Sequence, residues 1–388
     1  MIEKPTYTLR QLVYYFLKLG TTGFGGPVAL VGYMHEDLVE KRKWVSEESY
    51  KEGLALAQLA PGPLAAQLGI YLGFLHYRIL GATLAGLAFI IPSFIIVVLL
   101  SITYTIYGGL SWLQAVFYGV GAAVIGIIVM SSYKLTQKAI GKFTLESLKN
   151  NWLLWLIFGV SLAITLVTKR EHILLFICAG LIYMFYKSPQ KFWRTRKTYS
   201  LFMLQILFFN DELTILQKIA IFFIKAGAFV FGSGLAIIPF LYAGVVTENH
   251  WLTEQQFLDA VAIAMITPGP VVITVAFIGY IVAGFSGACV SSLATFLPCY
   301  LFTVIPAPYF HKIAKNESIK NFVTGITAAV IGALVGAVVI IASRSIVDVS
   351  TALIAILTIS ALIFIKKIAE PIIILIAAFS GILIKLML

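Results

Sequence analysis

The sequence predicts an all-α polytopic membrane protein, two homologous halves forming an inverted repeat, with about five spanning helices plus broken or re-entrant segments in each half. Three observations carry this: a charge-poor apolar composition, a self-match between the halves, and glycine–proline breaks at the same place in both. The 388 residues are 60% hydrophobic and only 12% charged, with mean hydropathy +0.97. Soluble domains carry about 25% charged residues. The length holds roughly 10–12 apolar segments of about 20 residues. A net charge of +11 fits basic loops on one side of a membrane and gives no reason to invoke nucleic acid. Cys178, Cys289 and Cys299 lie scattered in apolar segments without metal or redox spacing, as small hydrophobes do. MIEKPTYTLRQL shows no basic region followed by a cleavage site, so the first apolar segment is expected to persist in the mature chain.

The repeat is the strongest signal. Residues 16–63 lie on 223–270 without a gap, with 14 of 48 positions identical. Lys18 meets Lys225, Gly20 meets Gly227, Trp44 meets Trp251, and Pro61-Gly62-Pro63 meets Pro268-Gly269-Pro270. One residue later in register, Gly73 meets Gly279, Gly81 meets Gly287, Pro92 meets Pro298, and AAVIG at 122–126 meets AAVIG at 328–332. Identities concentrated on Gly, Pro, Trp and charge are not produced by apolar composition alone. The halves run 1–199 and 200–388, joined by the basic linker 187–199, KSPQKFWRTRKTY, whose charge marks it as cytoplasmic.

Each half shows six apolar segments. They lie near 9–34, 53–77, 79–107, 110–133, 151–168 and 171–186, then near 213–246, 257–282, 283–310, 319–342, 349–365 and 370–388. The first of each set is glycine-rich and bears a lysine; the second is broken by PGP, where proline removes a backbone donor. If one of these turns back without crossing, an odd crossing count inverts the second half. Most basic loops then share one side, but the loop with Lys41, Arg42 and Lys43 falls on the other.

The breaks point to an anion. Backbone that leaves the helix inside a bilayer lines a cavity or packs against protein, and a helix N-terminus there offers free N–H groups and positive partial charge. Glycines let backbone approach a ligand, and proline suits a first helical turn. The candidate binding residues are therefore Lys18, Thr21, Thr22, Phe24, Gly25, Gly26 and Pro27 with Pro61, Gly62 and Pro63 in the first half. In the second they are Lys225, Phe231, Gly232, Ser233, Gly234, Thr267, Pro268, Gly269 and Pro270. Thr21, Thr22, Ser233 and Thr267 offer hydroxyl donors. An intramembrane lysine is by default functional; the structural alternative is that it snorkels to the interface. Glu52 and Asp259, nine residues before each PGP, are candidates for proton coupling, or else cap a helix at the interface. Glu47 and Glu254 read as helix starts behind Ser46 and Thr253 caps. His35, His76, His172, His250 and His311 lack metal spacing and read as interfacial. No nucleotide, metallopeptidase or serine-hydrolase motif occurs, so no cofactor, metal or catalytic residue is expected.

FLKLGTTGFGGPVALVGYM, the following WVSE and WLTE, LAQLAPGP and LAFIIPSF together resemble the chromate ion transporter family in its long, two-domain form, over nearly the whole chain. Leu30 stands where family members often carry a histidine, and the second copy of FGGP reads FGSG. The resemblance implies a secondary transporter that extrudes chromate from the cytoplasm on proton-motive force. Its short members are single halves that work in oppositely oriented pairs. The expected function is thus secondary active transport of a tetrahedral oxyanion, by alternating access between two inverted repeats in a multi-pass plasma-membrane protein. Its partners are chromate or a sulfate-like oxyanion, protons and the lipid bilayer; a homodimer is compatible. Sulfate or other anion uptake or exchange, and a passive anion channel, are the alternatives. A membrane enzyme acting on a lipid headgroup would need clustered acids or histidines at one face, and the sequence shows none.

Overall fold

The computed structural model describes residues 6–24, 26–108, 110–169, 172–188, 213–229, 234, 237–310, 316–346, 348–365 and 370–387. These are helical throughout, without a strand among the described residues. The boundary between the halves and most of the linker 187–199 lie outside them, as do Gly25, Phe231, Gly232, Ser233, Lys312, Lys315, Lys366 and Lys367.

The first segment is a hairpin. Helix α1 (Leu9–Thr22) starts on a capping box in which Thr8 Oγ1 accepts from Gln11 N and the Gln11 side chain accepts from Thr8 N at 2.8 Å. Fourteen residues rise about 21 Å, short of the ~30 Å hydrocarbon core. Beyond the glycine break, α2 (Gly26–His35, drawn on by a π turn over Glu36–Lys41) comes back. The Tyr15 hydroxyl donates to the Tyr33 carbonyl at 3.4 Å, and the Tyr7 and Trp44 rings stack with centroids 4.7 Å apart. The segment therefore leaves by the end at which it arrived.

The second segment is also a hairpin. Helix α3 (Glu47–Leu59) is capped by Ser46, as its sequence predicts, and stops at the PGP break. Helix α4 (Leu64–Tyr107) starts from Pro63 and bends at Arg78, where φ is 52°. Its first part runs back beside α3 to the same end, where the Tyr7 hydroxyl meets His76 Nδ1 at 2.7 Å and the Tyr77 hydroxyl donates to the Tyr7 carbonyl. Its second part, 79–107, turns against the first so closely that a Cβ placed on Gly73 would lie 2.3 Å from the Gly81 carbonyl oxygen. Four apolar helices complete the half: 79–107, then α5 (Ser111–Ala139), α7 (Trp152–Thr168) and α8 (Ile173–Lys187), with the short α6 (Leu145–Asn150) before α7. Ile91, Ile95, Leu99, Ile102 and Ile106 give 79–107 an exposed apolar stripe, as lipid contact requires.

The second half repeats the plan. Helices α9 (Ile215–Ala228) and α10 (Ile237–Tyr242) are followed by α11 (Glu254–Ile266, capped by Thr253), a 3₁₀ turn at Val271–Ile273, and α12 (Thr274–Val304). Helix α12 bends at Ala283–Gly284, the counterpart of Arg78. Then come α13 (Glu317–Ser345), α14 (Val349–Phe364) and α15 (Glu370–Met387). Gly279 closes on Gly287 as Gly73 closes on Gly81.

Contacts fix the orientation of the two halves. Thr83 near the start of 79–107 bonds Tyr300 late in α12 at 2.7 Å, and Phe94 packs edge-on against Phe285, at the start of the part of α12 beyond its bend, at 6.3 Å. The long helices are thus antiparallel and the repeat is inverted. The halves also interlock. Helix α5 packs on α14 and α15, and α13 packs on α7 and α8, through close approach of small residues, the usual seam between membrane helices.

One returning segment per half is expected from the parity of crossings; the structure has two, leaving four crossing helices in each described half. The inversion therefore rests on the antiparallel contacts, and the stretch between residues 188 and 213 that joins the halves lies outside the described residues. The second return moves the loop with Lys41, Arg42 and Lys43 to the end of the molecule that carries Lys138, Lys142 and Lys149, because both hairpins bring the chain home before 79–107 departs. The exception to the positive-inside pattern thereby disappears.

A Gly279→Val side chain would press its Cβ to 2.3 Å from the Gly287 carbonyl, an overpacking expected to cost about 1–3 kcal/mol. Thermal unfolding of the purified protein in detergent should show the loss. Gly32→Val, with nothing within 4 Å of the added carbon, should leave the transition unmoved.

Candidate functional site

The tips of the re-entrant hairpins meet at the centre of the molecule. The Gly269 N–H, in the second-half PGP turn, donates to the Gly23 carbonyl of the first-half glycine break at 2.9 Å. Ser93, one residue past the Pro92 inside α4, donates its hydroxyl to the Pro268 carbonyl at 2.7 Å and lies 3.4 Å from the Gly20 carbonyl oxygen. Cys299, the repeat counterpart of Ser93, adjoins the other turn: a Cβ on Gly62 would lie 3.0 Å from its Sγ. Each PGP turn is therefore packed against the long helix of the opposite half. Gly62 and Gly269 have φ of 145° and 100°, a region open to glycine and strained for any L side chain.

Helix starts at these turns differ from those of the incoming hairpin arms. Helices α1, α3, α9 and α11 are capped by Thr8, Ser46, Thr214 and Thr253. The helix behind Pro63 and the 3₁₀ turn behind Pro270 receive no side-chain cap. Their first N–H groups are the donor-rich, positively polarised ends that bind anions. Near one of them Gln67, 0% exposed, donates from Nε2 to the Pro61 carbonyl at 2.9 Å. Its Oε1 is buried without a partner, a costly state that favours a donor arriving there.

The predicted residues divide. Gly62, Gly269 and their flanking prolines, Pro61, Pro63, Pro268 and Pro270, form the central turns. Gly26 begins α2 with φ 75° and Pro27 follows in its first turn. Gly234 is buried against Val271 and Val272, beside the second turn. Phe24 is exposed. The hydroxyls of Thr21 and Thr22 donate to Leu17 and Lys18 carbonyls at 2.6 and 2.9 Å, and that of the buried Thr267 to Ile263 at 2.7 Å. Their protons are spent inside their own helices. Lys18 stands on the exposed face of α1, while Lys225 is half-buried on α9.

The two acids sit toward the mouths, not at the tips. Asp259, 3% exposed, accepts from the Tyr104 hydroxyl at 2.7 Å and from Gln255 Nε2 at 2.8 Å. It lines a 710 Å³ cavity with Gln114, Tyr118 and Lys385. Glu52 is half-buried and bonds the Tyr71 hydroxyl. Glu47 and Glu254 begin their helices, bonding His35 Nε2 at 2.8 Å and the Arg344 guanidinium respectively.

Sequence reasoning missed Ser93, Gln67, Tyr104 and Glu370. Glu370 opens α15 in the second half, yet its Oε2 lies 3.9 Å from the position of a Cβ on Gly26 and within electrostatic reach of Lys134. The signal was available: it is the acid of IAEPIIIL, at the head of the last apolar run.

Gly62→Ala must strain the turn and crowd the Cys299 thiol. Cys299 is fully buried and should resist N-ethylmaleimide in the native protein, then label in Gly62→Ala. Exposed Cys178 should label in both, read by mass spectrometry.

The family model described as chromate transporter matches residues 10–184 and again 217–382. The chain is 59% identical over 382 residues to a chromate transport protein of Cupriavidus metallidurans, covering 97% of this chain and 93% of that one. It is 57% identical over 386 residues to a probable chromate transport protein of Synechococcus elongatus, covering 98% and 96%. An uncharacterized transporter of Methanocaldococcus jannaschii is 29% identical over 384 residues, covering 95% and 92%. No solved structure matches the chain.

Proposed function

Because the chain belongs to the chromate transporter family and is matched in both halves, we propose that it carries chromate across the plasma membrane as a secondary active transporter. It is a multi-pass membrane protein and not an enzyme. The single observation that supports the reading most is a pair of uncapped helix starts, Leu64 and Val271, each behind a PGP turn that packs on the long helix of the opposite half. Backbone N–H groups there suit a tetrahedral dianion held partly dehydrated. Two related units closing on one site from opposite ends can rock about it and open it to each side in turn. The direct bond between Gly23 and Gly269 favours a carrier over an open pore, since it closes the path through the centre. Lys225, the more buried of the paired lysines, supplies charge; Lys18 acts from the outer face of the tip. Efflux coupled to protons assigns Asp259 the coupling proton, with Glu52 as its counterpart at the opposite mouth.

Sulfate shares chromate's shape and charge, and backbone donors alone separate the two poorly. Sulfate exchange is therefore the second reading, and it is tested in the same experiment. Purified protein in proteoliposomes should accumulate chromate uphill when a pH gradient is imposed, with sulfate competing for the site. Flux unchanged by collapse of the gradient would make the protein a channel, and preference for sulfate would change its substrate.

Asp259→Asn should abolish the response to the pH gradient and leave chromate–chromate counterflow intact. If the variant still concentrates chromate, coupling resides elsewhere. Lys225→Ala should lower the rate about tenfold or more, as removal of a charge-assisted contact worth ~1.5–3 kcal/mol predicts, and more than Lys18→Ala does.

A further inference from the structure

A second cavity, of 390 Å³, lies at the end of the molecule where the first-half hairpins return. Its wall includes Gln58, Leu59 and Leu64, the residues that flank the Ala60–Pro63 break, so it reaches the base of one central turn. Lys138, in the last turn of α5, and Lys320, in the first turns of α13, line it together with Thr327. The two cations come from different halves. Among the described residues no acid lines the cavity, and neither lysine is ion-paired with a described residue.

The repeat shows how specific this is. The counterpart of Lys138 is Arg344, whose guanidinium is held by Glu254. The counterpart of Lys320 is Gln114, a neutral residue on the 710 Å³ cavity at the opposite end. That cavity also holds Asp259, and its cation, Lys385, lies over the Tyr118 ring at 4.8 Å, whose hydroxyl bonds Asp348. One mouth thus presents two ammonium groups without an ion-pair partner among the described residues, while the other presents a carboxylate, three glutamine amides and a lysine held over a ring. Inverted repeats alone would make the mouths alike.

We propose that the Lys138–Lys320 cavity is a recruitment site, where a tetrahedral oxyanion dianion docks before passing to the Pro61–Pro63 turn, and that it makes loading one-sided. The inference rests on the transport reading above. Two like charges around a low-dielectric recess concentrate an anion and raise its rate of arrival. The opposite mouth, with Asp259, repels the same anion and favours its departure. The end with Lys138 also carries Lys41, Arg42, Lys43, Lys142 and Lys149, and is the cytoplasmic one under the positive-inside bias. Loading is therefore from the cytoplasm.

The test is chromate flux in inside-out and right-side-out membrane vesicles at several ionic strengths. In Lys138→Gln/Lys320→Gln the apparent KM for chromate offered to the cytoplasmic face should rise about tenfold or more, with the saturated rate unchanged. The salt dependence of the low-concentration rate should flatten, and KM from the other face should stay as in the wild type. Lys138→Arg/Lys320→Arg, which keeps the charge, should restore the cytoplasmic KM and serves as the folding control. An unchanged KM, or an equal rise from both faces, would overturn the proposal while leaving chromate transport intact. Absence of chromate flux in the wild type would instead remove the transport reading itself.

Discussion

The structure depends on the satisfaction of broken backbone at its centre. Four hairpins stop short of spanning, and their described turns, rich in glycine and proline, lie in the interior, where unpaired peptide groups are expensive. Neither half can meet that demand alone. Gly269 gives its N–H to Gly23, and Ser93 gives its hydroxyl to Pro268 while approaching Gly20. Each PGP turn packs on the long helix of the other half, so forming the centre and assembling the halves are one event. The peripheral interlock, with α5 on α14 and α15 and α13 on α7 and α8, holds the same pair together away from the tips.

The same constraint explains where the sequence could be read and where it could not. The repeat, the breaks and the helix starts at Glu47 and Glu254 were legible because Gly, Pro and capping residues act locally, through φ, ψ and nearby N–H groups. That both leading segments return was less so. A 14-residue arm and a 13-residue arm, each followed by a break and a returning helix, read in hydropathy as parts of one crossing, and only a contact such as Tyr7 on Trp44 shows that the ends of a segment coincide. Ser93 and Cys299 were invisible for a related reason. Each is an ordinary small residue after a proline, and its role is set by a turn about 175 residues away in one case and in the other half in both. The lysines behaved differently: Lys18 and Lys225 are aligned in the repeat, yet one is exposed and the other half-buried. Sequence equivalence predicts backbone placement better than side-chain environment.

Equivalence of backbone with divergence of side chains also bears on direction. A symmetric carrier moves its substrate down whatever gradient it meets; asymmetry at the mouths alters rates of loading and release without altering the equilibrium, which the coupled ion must set. The first-half PGP turn lies behind a cationic recess and beside a thiol, while the second lies behind a carboxylate and beside a hydroxyl. Ser93 ties the second turn to α4 by a hydrogen bond, whereas Cys299 meets the first turn only by packing. A hydrogen-bonded turn resists displacement more than a packed one. In the proposed rocking motion the first-half turn, held across the halves by packing, is the less tied of the two, and it is the one that faces the cationic recess. In that reading, loading by charge and opening at the less tied turn coincide at the same mouth.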